Sequence, residues 1–240
     1  MDFVSGMAIY YVDEVLNGYS KGYLTMLMGV LLISQLLGML VFGPIMTKTS
    51  KKATILIGAP IRIVCTLGLL AFSYEGAPIA PILALSAGVG IGNAATLTSI
   101  FAILADMADV DELITSVSRP GIVSGMATFA RKISAGLSAW VIGLLISFAG
   151  YDAGIAKAGL RQSLHTQNGI AMIFIFLPVI LVTLLLIFGY MFPITKKEFE
   201  LVHKEIARRK GEDDSEATEE EKKILKRVTG IEYEELWGNK

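Results

Sequence analysis

The chain is poor in the residues on which metal chemistry, disulfide frameworks and nucleic-acid binding depend. Its 240 residues include one cysteine, Cys65, and two histidines, His165 and His203. A single cysteine excludes an internal disulfide or a cysteine-based zinc site. Two histidines so far apart in sequence give no metal-ligand spacing. No cofactor or metal is therefore expected, and Cys65 reads as a small apolar filler. Neither an H-E-x-x-H pair nor a nucleophile elbow occurs, so a membrane-embedded enzyme is the weakest functional class. A net charge of −1 supplies no basic face and argues against a nucleic-acid partner. Charged residues make up only 18%, and much of that lies after Pro193.

Apolar residues fill the space that charge leaves. They form 53% of the chain, and the mean hydropathy is +0.60. About 20 apolar residues carry a helix across a bilayer. Four runs meet that length, at 23–46, 53–73, 79–105 and 169–192, and a fifth, 119–149, carries charges in its middle. Met1–Val12 is apolar but short. With Asp13 and Glu14 it reads as a partial helix over 1–14, the second half of a span whose first half lies outside this chain. The fold expectation is an all-α membrane protein with a transmembrane bundle over 1–192 and a polar tail over 193–240.

Basic residues near span ends set orientation. "TKTSKK" (47–52) and "TKKEF" (195–199) share one side. The turn "LNGYSKG" (16–22) and the loops 74–78 and 151–168 share the other. The first set is richer in lysine near the membrane, which places it, the segment 106–118 and the C-terminus in the cytoplasm of a multi-pass cell-membrane protein. In the tail, Phe199, Val202 and Ile206 form one helical stripe, "GEDDSEA" is a linker, and Thr218 and Glu221 stand at capping-box spacing. The tail is either a solvated extension or a docking element.

Two stripes of small residues follow helical spacing. Gly88, Gly92, Ala95, Ser99, Ala102 and Asp106 form one, with Asp109 three residues on. Gly121, Gly125, Thr128, Lys132, Ala135 or Gly136, Ala139 and Gly143 form the other. A charge at mid-bilayer costs about 2.5–3.5 kcal/mol on insertion scales, so Lys132 needs a reason to be there. Either it faces a polar cavity beside Thr128, or the stripe packs helices and a carboxylate pairs with the lysine. Arg131 points about 100° away. Arg62 lies about 15 Å along its helix from Lys52 and calls for a carboxylate or carbonyl partner. Gln35 is placed for an interhelical hydrogen bond. Tyr10, Tyr11 and Trp140 are either sugar-stacking platforms or packing aromatics.

"GPIMTKTSKK" resembles the loop motif of the major facilitator superfamily, G-x-x-x-D-[RK]-x-G-[RK]-[RK]. Gly43, Lys48, Lys51 and Lys52 are in register, while Thr47 and Ser50 replace the Asp and Gly, as in the degenerate second copy between helices eight and nine. A stronger likeness runs through "ADMADVDELITSVSRPGIVSGMATFARKISAGL" and the Gly150–Tyr151 pair. This resembles the glycoside–pentoside–hexuronide:cation symporter family, through Ala105, Asp106, Asp109, Glu112, Arg119, Lys132, Gly150 and Tyr151. "AIYYVDEVLNG" resembles the outer end of that family's seventh helix, and "FPITKKEFELVHKEIARRKG" its tail. "LITSVSRPG" departs from the pattern in length and lacks Gly-x-Arg, so the resemblance does not fix the partner of Arg119.

The resemblance implies the C-terminal six-helix bundle of a cation-coupled sugar or glycoside transporter, with its first helix truncated. Lys132 and Thr128 would serve substrate binding or coupling. Tyr10, Tyr11, Gln35, Arg62, Asn93 and Trp140 are further candidates for lining the cavity. Asp106, Asp109 and Glu112, with Arg119, would form a cytoplasmic gate; the alternative is a plain acidic loop. The coupling ion, Na⁺ or H⁺, would bind mainly to the N-terminal six-helix half, the expected partner alongside lipid and sugar. Rival readings are a carrier of lipid or another non-sugar solute, and a non-transporting membrane subunit.

Overall fold

The computed structural model describes residues 2–18, 22–191 and 196–238. The middle of the 16–22 turn and the boundary at Pro193 lie outside these. Helix α1 (Asp2–Tyr10) continues as a π-helical turn, Tyr11–Val15. Then follow α2 (Tyr23–Lys48), α3 (Lys51–Gly68, extended by a 3-10 turn to Phe72), α4 (Ile79–Thr115) and α5 (Pro120–Phe148). After a short α6 (Ala153–Lys157) come α7 (Leu164–Met191), α8 (Lys196–Lys210), α9 (Glu219–Thr229) and a 3-10 segment, Tyr233–Gly238. Five of these helices are long and apolar enough to cross a membrane. The protein is all-α, and the described residues contain no strand.

Local chemistry explains the helix ends. Ser50 caps α3 by accepting from the Ala53 N–H at 3.0 Å. Pro120 sits in the first turn of α5, where its missing N–H costs nothing. Helix α4 runs on past the membrane span expected over 79–105, because 106–115 contains neither glycine nor proline. The helix ends only at Ser116, which takes a left-handed φ of 60° and donates its N–H to the Glu112 carbonyl at 2.8 Å. The acids expected on a separate cytoplasmic segment therefore ride on a rigid helical extension.

Helix α4 lies between α2 and α3. A Cβ on Gly90 would meet the Leu31 carbonyl at 2.6 Å, and one on Gly92 the Gly58 carbonyl at 2.6 Å. Only glycine permits these approaches. The first small-residue stripe is thus a packing seam against α3. The opposite is true of α5. A Cβ on Gly121, Gly125, Gly136 or Gly143 would touch nothing within 4 Å. Of α5, only Ile142 and Ile146 are buried. The membrane core gathers α1, its π turn, α2, α4 and α7 around Met7, Tyr11, Leu27, Ile82, Ile170 and Phe174.

The tail is not a solvated extension. Leu201, Val202 and Ile206 of α8 close with Leu225 of α9 and Leu236 onto Leu113 of α4. The capping box at Thr218 and Glu221 is formed. Glu205 is fully buried, yet it accepts from Arg208, Arg209 and the Tyr233 hydroxyl at 2.8–3.2 Å. Nearby, the Thr218 N–H, helped by Arg208 and Lys204, holds the Glu221 carboxyl down at about 2 against an ordinary 4.5. A carboxylate depressed on folding adds stability that is full above 4.5 and lost as pH falls through about 2. Trp237 packs against this small core and reports on it. In a Trp140→Phe background its fluorescence should hold constant from neutral pH down to about 5, then change between about 4.5 and 2, with Glu221→Gln flattening the change. A transition centred near neutrality would contradict this account.

Candidate functional site

Three polar side chains meet inside the bundle, one from each of three helices. Asn93 of α4 donates through Nδ2 to Gln35 Oε1 of α2 at 2.9 Å, and its Oδ1 accepts from Arg62 Nη1 of α3 at 2.9 Å. A carbonyl oxygen, of the side-chain kind, thus answers Arg62. Arg62 Nε has no hydrogen-bond partner among the described residues. The adjoining cavity, lined in part by Arg62, Thr66 and Ser86, holds about 20 Å³. That is the room of a single water, far below a sugar ring. Gln35, Arg62 and Asn93 are joined to one another between helices.

The aromatic candidates separate. Tyr11 is fully buried, stacks on Phe174 at 4.3 Å and bonds Ser73 Oγ at 2.8 Å, so it packs the core. Tyr10 meets Tyr151 edge to face at 5.4 Å. Trp140 lies 62% exposed on α5.

The residues on which transport was expected to turn share that exposed helix. Lys132 and Arg131 are both exposed, and neither forms an ion pair among the described residues. Thr128 is exposed and donates to the Ser124 carbonyl at 2.8 Å. The carboxylate partner that one reading required for Lys132 is absent among the described residues. Arg131 is as exposed as its neighbour.

At the end of the bundle where α2 meets α3, the acids of α4 are paired. Asp106 holds Lys51, whose Nζ also reaches the Ala102 carbonyl at 3.3 Å. Asp109 lies 3.5 Å from His203 Nε2 of α8, and Glu112 lies 2.6 Å from Lys210 Nζ. Arg119 joins none of them. It makes a two-pronged contact with Asp111, at 2.8 and 3.1 Å. The reason is helical phase: Asp111 is turned about 140° from Asp106, toward the start of α5 instead of the tail. Lys51 carried a signal in the basic loop motif. The parts of His203, Lys210 and Asp111 depend on the docked tail and the helical extension, which no local pattern announced.

The opposite end has its own clasp. Arg161 Nη2 donates to the Glu14 carbonyl at 2.9 Å and its guanidinium pairs with Glu75, while the Gln162 N–H reaches Glu14 Oε2 at 3.4 Å. The π turn after α1 is thereby tied to the loop before α7.

Comparison with known proteins fixes the family. A model described as MFS/sugar transport protein matches residues 1–196. The chain belongs to this family. Its relatives include a glucuronide carrier protein homolog of Escherichia coli (strain K12), 26% identical over 212 residues, covering 86% of this chain and 44% of that protein. Another is a putative sulfoquinovose importer of the same organism, 29% identical over 224 residues, covering 88% of this chain and 43% of that one. The chain thus spans about half the length of the curated relatives it matches. These relatives agree with the symporter-family resemblance of the α4–α5 motif. As an MFS family member with five apolar helices of spanning length, the protein is a multi-pass membrane protein.

The polar knot predicts how the MFS bundle fails. Asn93→Leu removes the acceptor of Arg62 and the donor of Gln35 together. It should cost about 3 kcal/mol, because a buried charged donor is left unanswered, and should lower both the unfolding temperature in detergent and the membrane level. Adding Arg62→Leu should recover much of the loss, since apolar replacement of both partners is nearly neutral. No recovery in the double variant would disprove the pairing account.

Proposed function

We propose that the chain forms the C-terminal half of a cation-coupled sugar transporter working by alternating access. The observation that carries this reading is the family match across residues 1–196. The bundle sits in the cell membrane with its C-terminus in the cytoplasm. A second six-helix half completes the central cavity and supplies most ligands of the coupling ion, Na⁺ or H⁺. Solute crosses without chemical change. The bare small-residue face of α5, bearing Lys132 and Thr128, is the wall of the cavity. It supports this reading that the glycines of this face have nothing within 4 Å of an added Cβ among the described residues. Two relatives are named for a glucuronide and for sulfoquinovose. The first sugar class carries a carboxylate and the second a sulfonate, and an unpaired lysine is suited to meet either. We therefore favour an acidic sugar or its glycoside as substrate.

In the complete transporter, Lys132→Ala should abolish concentrative uptake, a loss of at least about 100-fold for a buried charge contact worth roughly 3 kcal/mol, while expression stays near normal. Unlabelled glucuronides should compete better than neutral glycosides, and lysolipids should not compete. Undiminished coupled uptake in the variant would sink the assignment of Lys132. Competition by lysolipids alone would favour a lipid carrier.

The acidic end of α4 is proposed as the cytoplasmic gate. Its pairs with Lys51, His203 and Lys210 hold it in one state, and exchange of partners with the other half accompanies the second. Arg119, bound to Asp111, anchors the start of α5 beside it. Asp106→Asn should release Lys51, impair uptake and raise labelling of a cysteine at position 128 from the cytoplasmic side. Unchanged labelling and uptake would reduce this region to a structural clamp.

A further inference from the structure

Five lysines gather at one end of the bundle. Lys48 closes α2, Lys51 and Lys52 open α3, and Lys196 and Lys197 open α8. Lys196 Nζ donates to the Thr47 carbonyl at 3.2 Å, which fastens the start of α8 to the α2–α3 turn. Lys52 Nζ lies 4.9 Å from the Tyr190 ring centre and Lys51 Nζ 4.5 Å from that of Phe199. The last turn of α7 and the first of α8 are thus part of the same surface.

Only one of these charges is spent on an acid. Lys51 pairs with Asp106, whereas Lys48, Lys52, Lys196 and Lys197 form no ion pair among the described residues. Of the two acids in the first turns of α8, Glu198 is held by Arg227, which leaves Glu200 against four lysines. Beside the charges lies apolar surface: Val41 of α2 is 57% exposed, Tyr190 of α7 68% and Met191 70%. A basic rim above exposed apolar helix flanks fits a ligand that is anionic at one end and greasy at the other. A soluble anion would use only the rim. Three membrane helices begin or end at this level, so the ammonium groups stand at the height of lipid phosphates.

We propose that this patch is a binding site for the headgroup of an anionic phospholipid, with Lys48, Lys52 and Lys197 as its main contacts and Tyr190 beside the upper acyl chain. Lys51 is kept out of it by Asp106, so lipid binding and the α3–α4 ion pair coexist. The site needs only that the bundle is embedded in a bilayer, and does not depend on what the protein transports.

The test uses the purified protein in nanodiscs of mixed phosphatidylglycerol and phosphatidylethanolamine, with the retained lipid identified by native mass spectrometry. Phosphatidylglycerol should be retained in excess of its share of the bilayer. Combining Lys48→Gln, Lys52→Gln and Lys197→Gln should reduce that excess by about fivefold per lysine removed. The three Lys→Arg changes together should preserve it. Lys223→Gln, an exposed change on α9 outside the patch, should leave it intact. Should the triple variant be poorly folded, Lys52→Gln alone carries the same expectation at about fivefold. Unchanged retention in the glutamine variants would overturn the proposal. So would an equal loss from Lys223→Gln, which would mean that net charge alone attracts the lipid.

Discussion

A guanidinium inside an apolar bundle must be answered, and the way Arg62 is answered organises the rest of the molecule. Asn93 can reach both Arg62 and Gln35 only because α4 runs hard against α2 and α3. That proximity in turn requires Gly90 and Gly92, where a side chain would strike the carbonyls of Leu31 and Gly58. Backbone contact and polar closure support each other. Loosen the helices and the amide no longer spans them; remove the amide and a charge is stranded in a low-dielectric interior. Because α4 is fixed in the bundle this way, its polar prolongation has a defined position against which the tail can build a core around Leu113.

Two helices carry the same sequence pattern and meet opposite fates. In both α4 and α5, small residues recur at three- and four-residue steps, and in both a charged residue lies on the stripe. The α4 stripe is filled by α3 and ends in the pair Asp106–Lys51. The α5 stripe is bare, and its lysine has no ion-pair partner among the described residues. Periodicity reveals that a face is smooth, which suits close packing and open passage alike. Deciding between them takes knowledge of what stands opposite, and that is a tertiary fact.

The apolar runs were legible because hydrocarbon thickness imposes a length that sequence must meet, and five helices of that length are present. The need of Arg62 for an oxygen partner was legible for the same energetic reason. The end of α4 was not, since the polar residues after 105 mark the membrane surface without marking the end of the helix. Hydropathy reports the solvent around a helix, while capping and backbone reversal report where it stops, here at Ser116. The partner of Arg119, left open by the sequence, depends on that continuation. A loop would have left Asp106, Asp109 and Glu112 free to turn toward it, but a helix assigns each acid a fixed azimuth and presents Asp111 instead.

Helix α4 is one uninterrupted rod of 37 residues, about 55 Å long at 1.5 Å per residue. Asn93 and Glu112 are separated by about 28 Å of it. Such a rod behaves as a lever with its fulcrum at the three-helix polar contact. A tilt of about 10° there sweeps the far arm through about 5 Å, given that rise, well beyond the 2.6 Å contact between Glu112 and Lys210. Between Asn93 and Glu112 the helix has neither glycine nor proline at which to absorb such a tilt. Any rearrangement at mid-membrane must either carry α8 and α9 along as a single body or shear them off.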